Sequence, residues 1–315
     1  MLRSCKKILV VSGDPKSVFL EIFFKSNKYF SQKPIIIIVN KNILKQQMQM
    51  LGFNFKLNEI KNENINDAKL GRKIINFINI PLKKRDVKSY IEKCFKISLR
   101  ILNNYKDISL INGPINKENF LKGKYPGITE YLGKKTNKLK EAAMLIYNKK
   151  LSVCPITTHL PLKIVSKSIN KEKIINNAYQ INNFYIRNLK KTPNIAITGL
   201  NPHCESNFKD SEEKRIIIPA IKFLKKKKIK ISGPFPADTI FLEKNYKKFD
   251  VIIGMYHDQV LSPIKSMFGF DAINITLGLP FIRISPDHGP NVKMFGKNVS
   301  SAKSLKAAFK FLNKK

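Results

Sequence analysis

Three of the four histidines share one placement, directly after a short apolar run typical of a buried strand. His159 follows the run SVCPITT, His203 follows NIAITGLNP, and His257 follows VIIGMY. Ligands of an open parallel sheet bind beyond the carboxyl ends of its strands, so we expect the three imidazoles at one edge. Neutral imidazole is the commonest metal ligand, and three imidazoles with an open position would form a catalytic divalent-metal site. The alternative is that each ring is only a hydrogen-bonded residue at a strand end, because spacing does not show that the rings meet.

Two aspartates lie beside these strand ends. Asp238 lies in GPFPADT, and Asp258 directly follows His257 in YHDQ. A carboxylate there could orient a metal-bound imidazole or accept a proton, and the alternative is a turn cap. The fourth histidine, His288, lies beside Asp287 in the tight loop SPDHGP, where it could contact a bound group or only stabilise a turn.

A lysine, an amide and an arginine follow along the chain. Lys265, Asn274 and Arg283 could come together from successive elements, and such a set suits a phosphate or a carboxylate. Lys265 is one of 52 lysines, so a surface role is the simpler explanation for it. Arg283 is one of only seven arginines and lies in the apolar segment LPFIRIS, where an unpaired cation would be costly. The case for a binding role is therefore stronger for Arg283 than for Lys265.

The chain of 315 residues carries 59 Lys and Arg against 22 Asp and Glu, a formal net charge of +37. Such an excess would suit nucleic acid or an anionic membrane. Base and phosphate recognition relies on the bidentate guanidinium, however, and nearly all of this excess is lysine spread over the whole chain. An AT-rich coding sequence would give the same composition, so we expect no nucleic-acid partner.

Cysteine spacing and the lengths of the apolar runs bear on the compartment. Cys5, Cys94, Cys154 and Cys204 form no C-x-x-C pair, which favours a reducing compartment. The apolar run 8–11 is too short for a signal-peptide core, and no stretch approaches the length of a membrane span. Neither G-x-G-x-x-G nor G-x-x-x-x-G-K-[ST] occurs. We therefore expect a cytoplasmic protein with no membrane partner and no Rossmann or P-loop nucleotide site.

Short β-branched runs alternate with amphipathic stretches along the chain. The runs that predict strands are residues 8–11, 35–39, 108–111, 152–157, 195–198, 251–255 and 273–276. The stretches that predict helices are 86–102, capped by Asp86; 216–224, opened by an Asp210–Glu213 capping box and bent at Pro219; and 303–312. This alternation predicts an α/β fold with a largely parallel sheet. The length predicts two lobes, one of residues 1–130 joined by 290–315 and one of residues 131–289.

Several blocks between residues 108 and 289 resemble the 4-hydroxythreonine-4-phosphate dehydrogenase family. The blocks are NGPINK (112–117), TTHLPL (157–162), GLNPH (199–203) with EE at 212–213, GPFPADT, YHDQ, and NITLGLPFIRISPDHG (274–289). The resemblance implies a two-lobed fold similar to isocitrate and isopropylmalate dehydrogenases, whose NAD site is not a Rossmann fingerprint. It also implies a homodimer.

The resemblance implies roles for individual residues as well. A divalent metal, whether zinc, magnesium or cobalt, would be held by His159, His203 and His257 from both sides of the dimer interface. The implied substrate contacts are Thr129, Lys265, Asn274 and Arg283, and the implied NAD contacts are His288 and Gly289. The family oxidises the C3 hydroxyl of 4-phosphooxy-L-threonine with NAD+, and the β-keto acid then loses CO2 to give 3-amino-2-oxopropyl phosphate for pyridoxal 5′-phosphate biosynthesis. The candidates for proton transfer are Asp238, Asp258 and Lys265.

The chain departs from the family pattern in the substrate and cofactor loops. Ile128 replaces the family's substrate-binding histidine, the loop 204–211 lacks glycine, and Pro290 and Asn291 replace Thr and Ala of the nucleotide loop. These changes leave open a dehydrogenase of another β-hydroxy acid, such as a phosphorylated threonate. They also leave open a relative that binds metal without catalysing a reaction, or a basic nucleic-acid-associated protein.

Overall fold

The computed structural model describes residues 6–61, 65, 70–71, 73–83, 86–116, 120–121, 124–204, 209–269, 272–286 and 289–314. The chain divides into two compact units. The first comprises Met1–Gly123 with Pro280–Lys315, and the second comprises Lys124–Leu279. Along the described ranges, no helix combines the length and the apolar character needed to cross a membrane.

The described strands are β1 Lys7–Val11, β2 Ile35–Val39, β3 Leu57–Glu59, β4 Ile75–Asn79, β5 Ile108–Asn112, β6 Ala143–Tyr147, β7 Ser152–Thr157, β8 Ile195–Thr198, β9 Ile231–Phe235, β10 Val251–Tyr256, β11 Ile273–Leu277 and β12 Arg283–Pro286. The α-helices are α1 Phe19–Phe24, α2 Lys41–Met50, α3 Val87–Asn104, α4 Ile128–Lys135, α5 Val165–Ser168, α6 Lys171–Phe184, α7 Ile218–Lys226, α8 Ala237–Ile240, α9 Glu243–Tyr246, α10 His257–Phe268 and α11 Lys303–Asn313. Short 3₁₀ turns lie at Asn27–Tyr29, Leu162–Ile164, Pro202–Cys204 and Val292–Met294, and π-helical turns lie at Tyr185–Leu189 and Glu213–Ile217.

In the first unit, the described strand pairs are all parallel, in the order β3-β4-β2-β1-β5-β12. β2 has the sequence IIIIV and is buried along its whole length, as expected for a strand covered on both faces. α3 begins as predicted, because the Asp86 side chain accepts a hydrogen bond from Ser89 N at 3.0 Å. α11 buries the predicted face, which includes Leu305 and Phe309.

In the second unit, the strand order is β11-β6-β7-β10-β8-β9. β6 runs antiparallel to both β7 and β11, and the pairs of β10 with β7, β10 with β8, and β8 with β9 are parallel. The predicted α/β fold with a largely parallel sheet is therefore confirmed. Because β7, β10 and β8 are parallel, their carboxyl ends lie at one edge of this part of the sheet.

The capping box predicted at Asp210 and Glu213 is wrong. Glu213 Oε1 instead accepts hydrogen bonds from the backbone N–H groups of Leu200 at 2.8 Å and Asn201 at 2.9 Å. Glu213 Oε2 accepts a third bond from Asn201 Nδ2 at 2.8 Å. The π-helical turn Glu213–Ile217 runs directly into α7, so Pro219 lies inside a continuous helical run, where its missing N–H coincides with the change from π- to α-helical hydrogen bonding.

Glu213 is nearly inaccessible to solvent, with 1% of its surface exposed. Burial alone would raise the pKa of its carboxyl group, but the hydrogen bonds that Asn201 and Leu200 donate to the charged form outweigh burial and lower the pKa. The ionised carboxylate therefore holds the loop that follows β8 and precedes His203.

Removal of the Phe309 ring tests the packing of α11. Phe309 is fully buried and stacks on Tyr29 with ring centroids 5.8 Å apart. We expect Phe309→Ala to lower the free energy of unfolding by about 3–5 kcal/mol in urea titrations, because the ring leaves a cavity. Lys310→Ala, at the exposed neighbouring position, should change it by less than about 0.5 kcal/mol. Equal stabilities of the two variants would contradict this packing.

The Glu213 carboxylate should make stability depend on pH. Since the pKa is lowered in the folded state, its stabilisation is complete above the unfolded pKa and is lost as pH falls through the folded pKa. We expect Glu213→Gln to cost about 1–3 kcal/mol at pH 7, because Gln has an NH2 group in place of one acceptor oxygen and cannot accept both from the two backbone N–H groups and from Asn201 Nδ2. The difference from wild type should shrink as urea titrations are repeated from pH 5 downward.

The exposed Glu92→Gln variant, in the middle of α3, is the matched control for this titration. Its stability should follow wild type at every pH. A Glu213→Gln deficit that stays constant with pH would show that the lost stability does not come from the charged form.

Candidate active site

Two of the predicted metal ligands, His159 and His257, lie side by side. Their ring centroids are 5.5 Å apart, with the ring planes at 40°. The parallel register of β7 and β10 explains this proximity, because Thr157 pairs with Tyr256 at the ends of the two strands. His257 directly follows Tyr256, and His159 follows Thr157 by two residues. The strand ends therefore deliver both imidazoles to the same place.

Asp258 orients the His257 ring. His257 Nδ1 lies 2.6 Å from Asp258 Oδ1, and a carboxylate can only accept, so Nδ1 carries the hydrogen. In the neutral imidazole, the lone pair is then on Nε2. A ring nitrogen fixed in this way by a carboxylate is the usual arrangement of a metal-binding histidine.

His159 packs against the start of α4. A Cβ on Gly127, the residue that precedes α4, would come within 3.2 Å of His159 Nδ1 and 2.9 Å of Glu130 Oε2, so a larger residue would displace one of these side chains. Glu130 Oε1 accepts a hydrogen bond from Thr158 Oγ1 at 3.0 Å. Glu130 Oε2 is buried and has no hydrogen-bond partner among the described residues. A carboxylate oxygen is therefore held beside the His159 ring.

His203 lies in the turn Pro202–Cys204, beyond the carboxyl end of β8, with a left-handed φ of 57°. The turn packs against β9 and against α8, which carries the exposed Asp238 in its first turn. Within the described ranges, no three His, Cys, Asp or Glu side chains lie close enough together to hold a metal ion. The structure thus brings two of the three histidines together, and the meeting of His203 with them stays a prediction.

Two of the predicted substrate residues lie around β11. Thr129, in the first turn of α4, has its Oγ1 3.2 Å from Thr276 Oγ1. Asn274 is two residues before Thr276 and therefore faces the same side of the strand. Its Oδ1 is buried and has no hydrogen-bond partner in the described part of the chain. Lys265 lies in the last turn of α10, where its side chain is exposed.

The remaining predicted site residues belong to the first unit. Arg283 opens β12 and is only 2% exposed, and its Nε donates to Asn112 Oδ1 at 2.7 Å. Gly289 precedes Pro290, whose carbonyl accepts a hydrogen bond from Val18 N at 3.1 Å. His288 lies outside the described residues, so its predicted contact with NAD stays a prediction.

Three residues outside the predicted site set complete the surroundings of the histidines, and two of them, Glu213 and Gln259, lie in the blocks that carry the family resemblance. Glu130 lies beside His159, Glu213 holds the loop before His203, and Gln259 joins the ends of β8 and β10. Their partners are mostly backbone groups distant in sequence, which local patterns do not reveal. Two signals could have found them: membership of the family blocks for Glu213 and Gln259, and scarcity for the two glutamates, since only 22 acidic residues occur among 315.

Comparison with known proteins shows which family the chain resembles. The family described as "Pyridoxal phosphate biosynthetic protein PdxA" matches residues 31–312. The chain is 38% identical over 312 residues to the 4-hydroxythreonine-4-phosphate dehydrogenase of Sulfurihydrogenibium sp. (strain YO3AOP1), covering 95% of this chain and 94% of the relative. It is 30% identical over 321 residues to the D-threonate 4-phosphate dehydrogenase of Salmonella typhimurium, covering 97% of each protein.

Solved structures agree with this family and with the predicted fold. The crystal structure of 4-hydroxythreonine-4-phosphate dehydrogenase from Klebsiella pneumoniae superposes with a TM-score of 0.81 at 28% identity, covering 98% of both chains. Isocitrate dehydrogenase from Methylococcus capsulatus shares only the fold, with a TM-score of 0.52 at 9% identity over 97% of this chain and 84% of that one. The predicted isocitrate dehydrogenase-like fold is therefore confirmed. Because the family match and the Sulfurihydrogenibium relative both span most of the sequence, the chain belongs to the PdxA family of pyridoxal phosphate biosynthetic proteins.

Proposed function

We propose that this chain is an NAD- and metal-dependent 4-hydroxythreonine-4-phosphate dehydrogenase. It would oxidise the C3 hydroxyl of 4-phosphooxy-L-threonine and release CO2, giving 3-amino-2-oxopropyl phosphate for pyridoxal 5′-phosphate biosynthesis. The observation that carries the proposal is the pairing of His159 with His257, whose rings are 5.5 Å apart at the ends of two parallel strands. Family membership supports the substrate class, and the names of the relatives support an oxidoreductase.

The imidazole donor set fits zinc or cobalt better than magnesium, which prefers oxygen ligands. His257 presents Nε2 because Asp258 holds Nδ1, and His159 lies beside it. We assign His203 as the third ligand, since its loop lies beyond the adjacent strand end. A bound divalent cation lowers the pKa of a coordinated hydroxyl and stabilises negative charge that develops on oxygen.

The protein side chains would bind the substrate and move its protons. Asn274 Oδ1, buried and unpaired among the described residues, can accept a hydrogen bond from the substrate, and Thr129 and Lys265 are further proposed contacts. Asp258 already accepts a hydrogen bond from His257 Nδ1. We therefore assign proton uptake from the C3 hydroxyl to Asp238 or Lys265. Bound NAD+ would supply the hydride acceptor for C3, and the β-keto acid so formed would lose CO2.

Residues of the first unit are assigned to anionic groups and to NAD. Arg283 offers a buried guanidinium that Asn112 fixes through Nε, an arrangement suited to a carboxylate or a phosphate. Gly289 suits a nucleotide contact, because a backbone without Cβ can be approached closely, and a Cβ there would lie 3.2 Å from Asn291 Oδ1. His288 is the second proposed NAD contact.

A second candidate substrate is D-threonate 4-phosphate. The Salmonella typhimurium relative bears that name and matches along nearly the whole chain. Ile128, half-buried at the start of α4 beside Thr129, also separates this chain from the histidine of the family pattern. The same fold and metal ligands would serve either substrate, so the choice depends on side chains around the substrate.

We further propose a cytoplasmic homodimer. Among the described residues, Cys94 and Cys154 are buried and form no disulfide, as a reducing compartment favours. Leu162 is 71% exposed and Ile164 is 37% exposed, and both follow His159 closely in sequence. Large exposed apolar side chains of this kind support a surface that another protein molecule covers, and a second copy would bring its own residues beside His159.

An assay of NADH production tests the enzymatic proposal. With added Mg²⁺, Zn²⁺ or Co²⁺, wild type should reduce NAD+ in the presence of 4-phosphooxy-L-threonine, and a chelator should stop the reaction. His203→Ala should lower the rate by at least about 100-fold, because loss of a ligand exceeds the effect of losing an outer partner. Lys225→Ala, an exposed change on α7, should keep the wild-type rate.

The outcomes separate the candidates. Faster NADH production from D-threonate 4-phosphate would favour the second substrate. Full activity of His203→Ala, or of the chelated enzyme, would contradict the metal assignment. An absence of NADH from both substrates would contradict the dehydrogenase itself.

Light scattering after size-exclusion chromatography tests the homodimer. We expect wild type at twice the chain mass and Leu162→Asp at the single-chain mass, because a charge at this position would be buried in the interface. Ile186→Asp, also at an exposed apolar position with 45% exposure, should remain a dimer. Wild type at the single-chain mass, or a dimeric Leu162→Asp, would contradict the proposed surface.

A further inference from the structure

Gln259 joins two strand ends at the point where their backbone pairing stops. β10 and β8 are in register from Val251 with Ile195 to Ile253 with Ile197. Beyond that point, Gln259 Oε1 accepts a hydrogen bond from Met255 N at 2.7 Å, and Gln259 Nε2 donates to Gly199 O at 2.8 Å. The side-chain amide thus links the ends of the two strands, as a backbone peptide unit of a neighbouring strand would.

The fold makes room for this amide. A Cβ on Gly254 would come within 3.1 Å of Gln259 Oε1 and 2.3 Å of Val260 Cγ1, so the absence of a side chain lets α10 approach β10. Thr198 Oγ1 donates a further hydrogen bond to Gln259 Oε1 at 2.8 Å. Both polar ends of the Gln259 amide are therefore satisfied, which fixes its orientation.

The joined strand ends are those that carry the proposed metal ligands. Met255 precedes His257 by two residues, and Gly199 precedes His203 by four. Met255 O also accepts a hydrogen bond from Thr157 Oγ1 at 2.8 Å, which ties the end of β7 to the same residue. The chain of contacts therefore spans the ends of β7, β10 and β8, one for each histidine.

The three strand ends do not depend equally on side chains. β7 and β10 remain paired as far as Thr157 and Tyr256, so their backbone ladder already sets the separation of His159 and His257. The ladder of β8 with β10 stops at Ile197, although on its other side β8 stays paired with β9 as far as Thr198, and Gly199 N donates to Phe235 O at 3.0 Å. Towards β10, the loop after β8 is held by side chains, through Gln259 at Gly199, while Glu213 binds Leu200 and Asn201. The separation of the His203 loop from the end of β10 therefore depends on a side-chain link at Gln259.

We propose that Gln259 is a positioning residue that sets the distance between the His203 loop and the His159–His257 pair. This inference rests on the metal site of the proposed function. Gln259 contacts backbone at both strand ends, so its loss should change the geometry of metal binding before it changes any step of the reaction.

Cobalt(II) titration of the full-length chain tests the inference without turnover. Gln259→Met keeps the length of the side chain and removes both strand-end hydrogen bonds. We expect its Co²⁺ affinity to fall by about 10- to 100-fold, the usual effect of losing an outer partner of a metal ligand. The visible d–d absorption of bound Co²⁺ should change in intensity, because the ligand geometry changes.

Thr198→Val is the matched control. It removes one hydrogen bond to the same Gln259 oxygen at a fully buried position but leaves the links to Met255 and Gly199 in place. We expect Thr198→Val to lose a small amount of stability, comparable to the loss in Gln259→Met, and to keep the wild-type Co²⁺ affinity and spectrum. Gln259→Asn, whose amide is too short to reach both strand ends, is the second variant if Gln259→Met does not fold, and it should also weaken Co²⁺ binding.

The results separate this inference from the proposed function. Wild-type Co²⁺ affinity and spectrum in a folded Gln259→Met or Gln259→Asn protein, while His203→Ala loses Co²⁺, would overturn the role of Gln259 and leave the metal site intact. Equal weakening by Thr198→Val would also overturn it, because general destabilisation would explain the effect. A wild-type chain that binds no Co²⁺ would overturn the metal site and this inference with it.

Discussion

The parallel pairing of β10 with β7 on one side and β8 on the other is the constraint on which the candidate site depends. Parallel strands end at one edge, so residues that follow them are neighbours in space although they are far apart in sequence. The ladder between β7 and β10 continues to Thr157 and Tyr256, and this alone brings His159 within 5.5 Å of His257, ring to ring. The ladder of β8 with β10 stops earlier, at Ile197, and beyond it side chains link the loop after β8 to its neighbours on that side. Gln259 and Glu213 are the residues that perform this task, each through hydrogen bonds to main-chain groups.

The sequence predicted what depends on local pattern. Apolar runs such as β2, the Asp86 cap of α3 and the buried face of α11 all follow from residue order over a few turns or pleats. The placement of the histidines after strands followed from the same runs. The capping box at Glu213 failed because the spacing of Asp210 and Glu213 suits a helix start, whereas two N–H groups of a distant loop bind the carboxylate. Hydrogen bonding to a distant backbone leaves no local signature.

In this lysine-rich chain, the positions of the few acidic residues are more informative than those of the basic ones. With 22 acidic against 59 basic residues, carboxylates are scarce, and several are placed where they hold backbone. Glu21 is 1% exposed and accepts from Ser300 N at 2.6 Å and from Lys25 Nζ at 2.7 Å. Asp250 accepts from Asn194 N at 2.9 Å. In such a chain, a glutamate near a functional motif is a stronger signal than a lysine, and Glu130 and Glu213 could have been singled out on that ground.

Among the described strands of the second unit, the reversed strand β6 explains how the proposed substrate residues reach the edge that carries the histidines. β6 runs antiparallel to β7 and to β11, so β11 runs in the direction of β7 and β10. Thr276, near the carboxyl end of β11, contacts Thr129 in the first turn of α4, and the glycine before that helix packs on His159. Asn274 faces the same side as Thr276, and its buried Oδ1 has no partner among the described residues. An unsatisfied buried acceptor costs about 1–3 kcal/mol, which a ligand that donates a hydrogen bond would recover, so this position favours binding over stability.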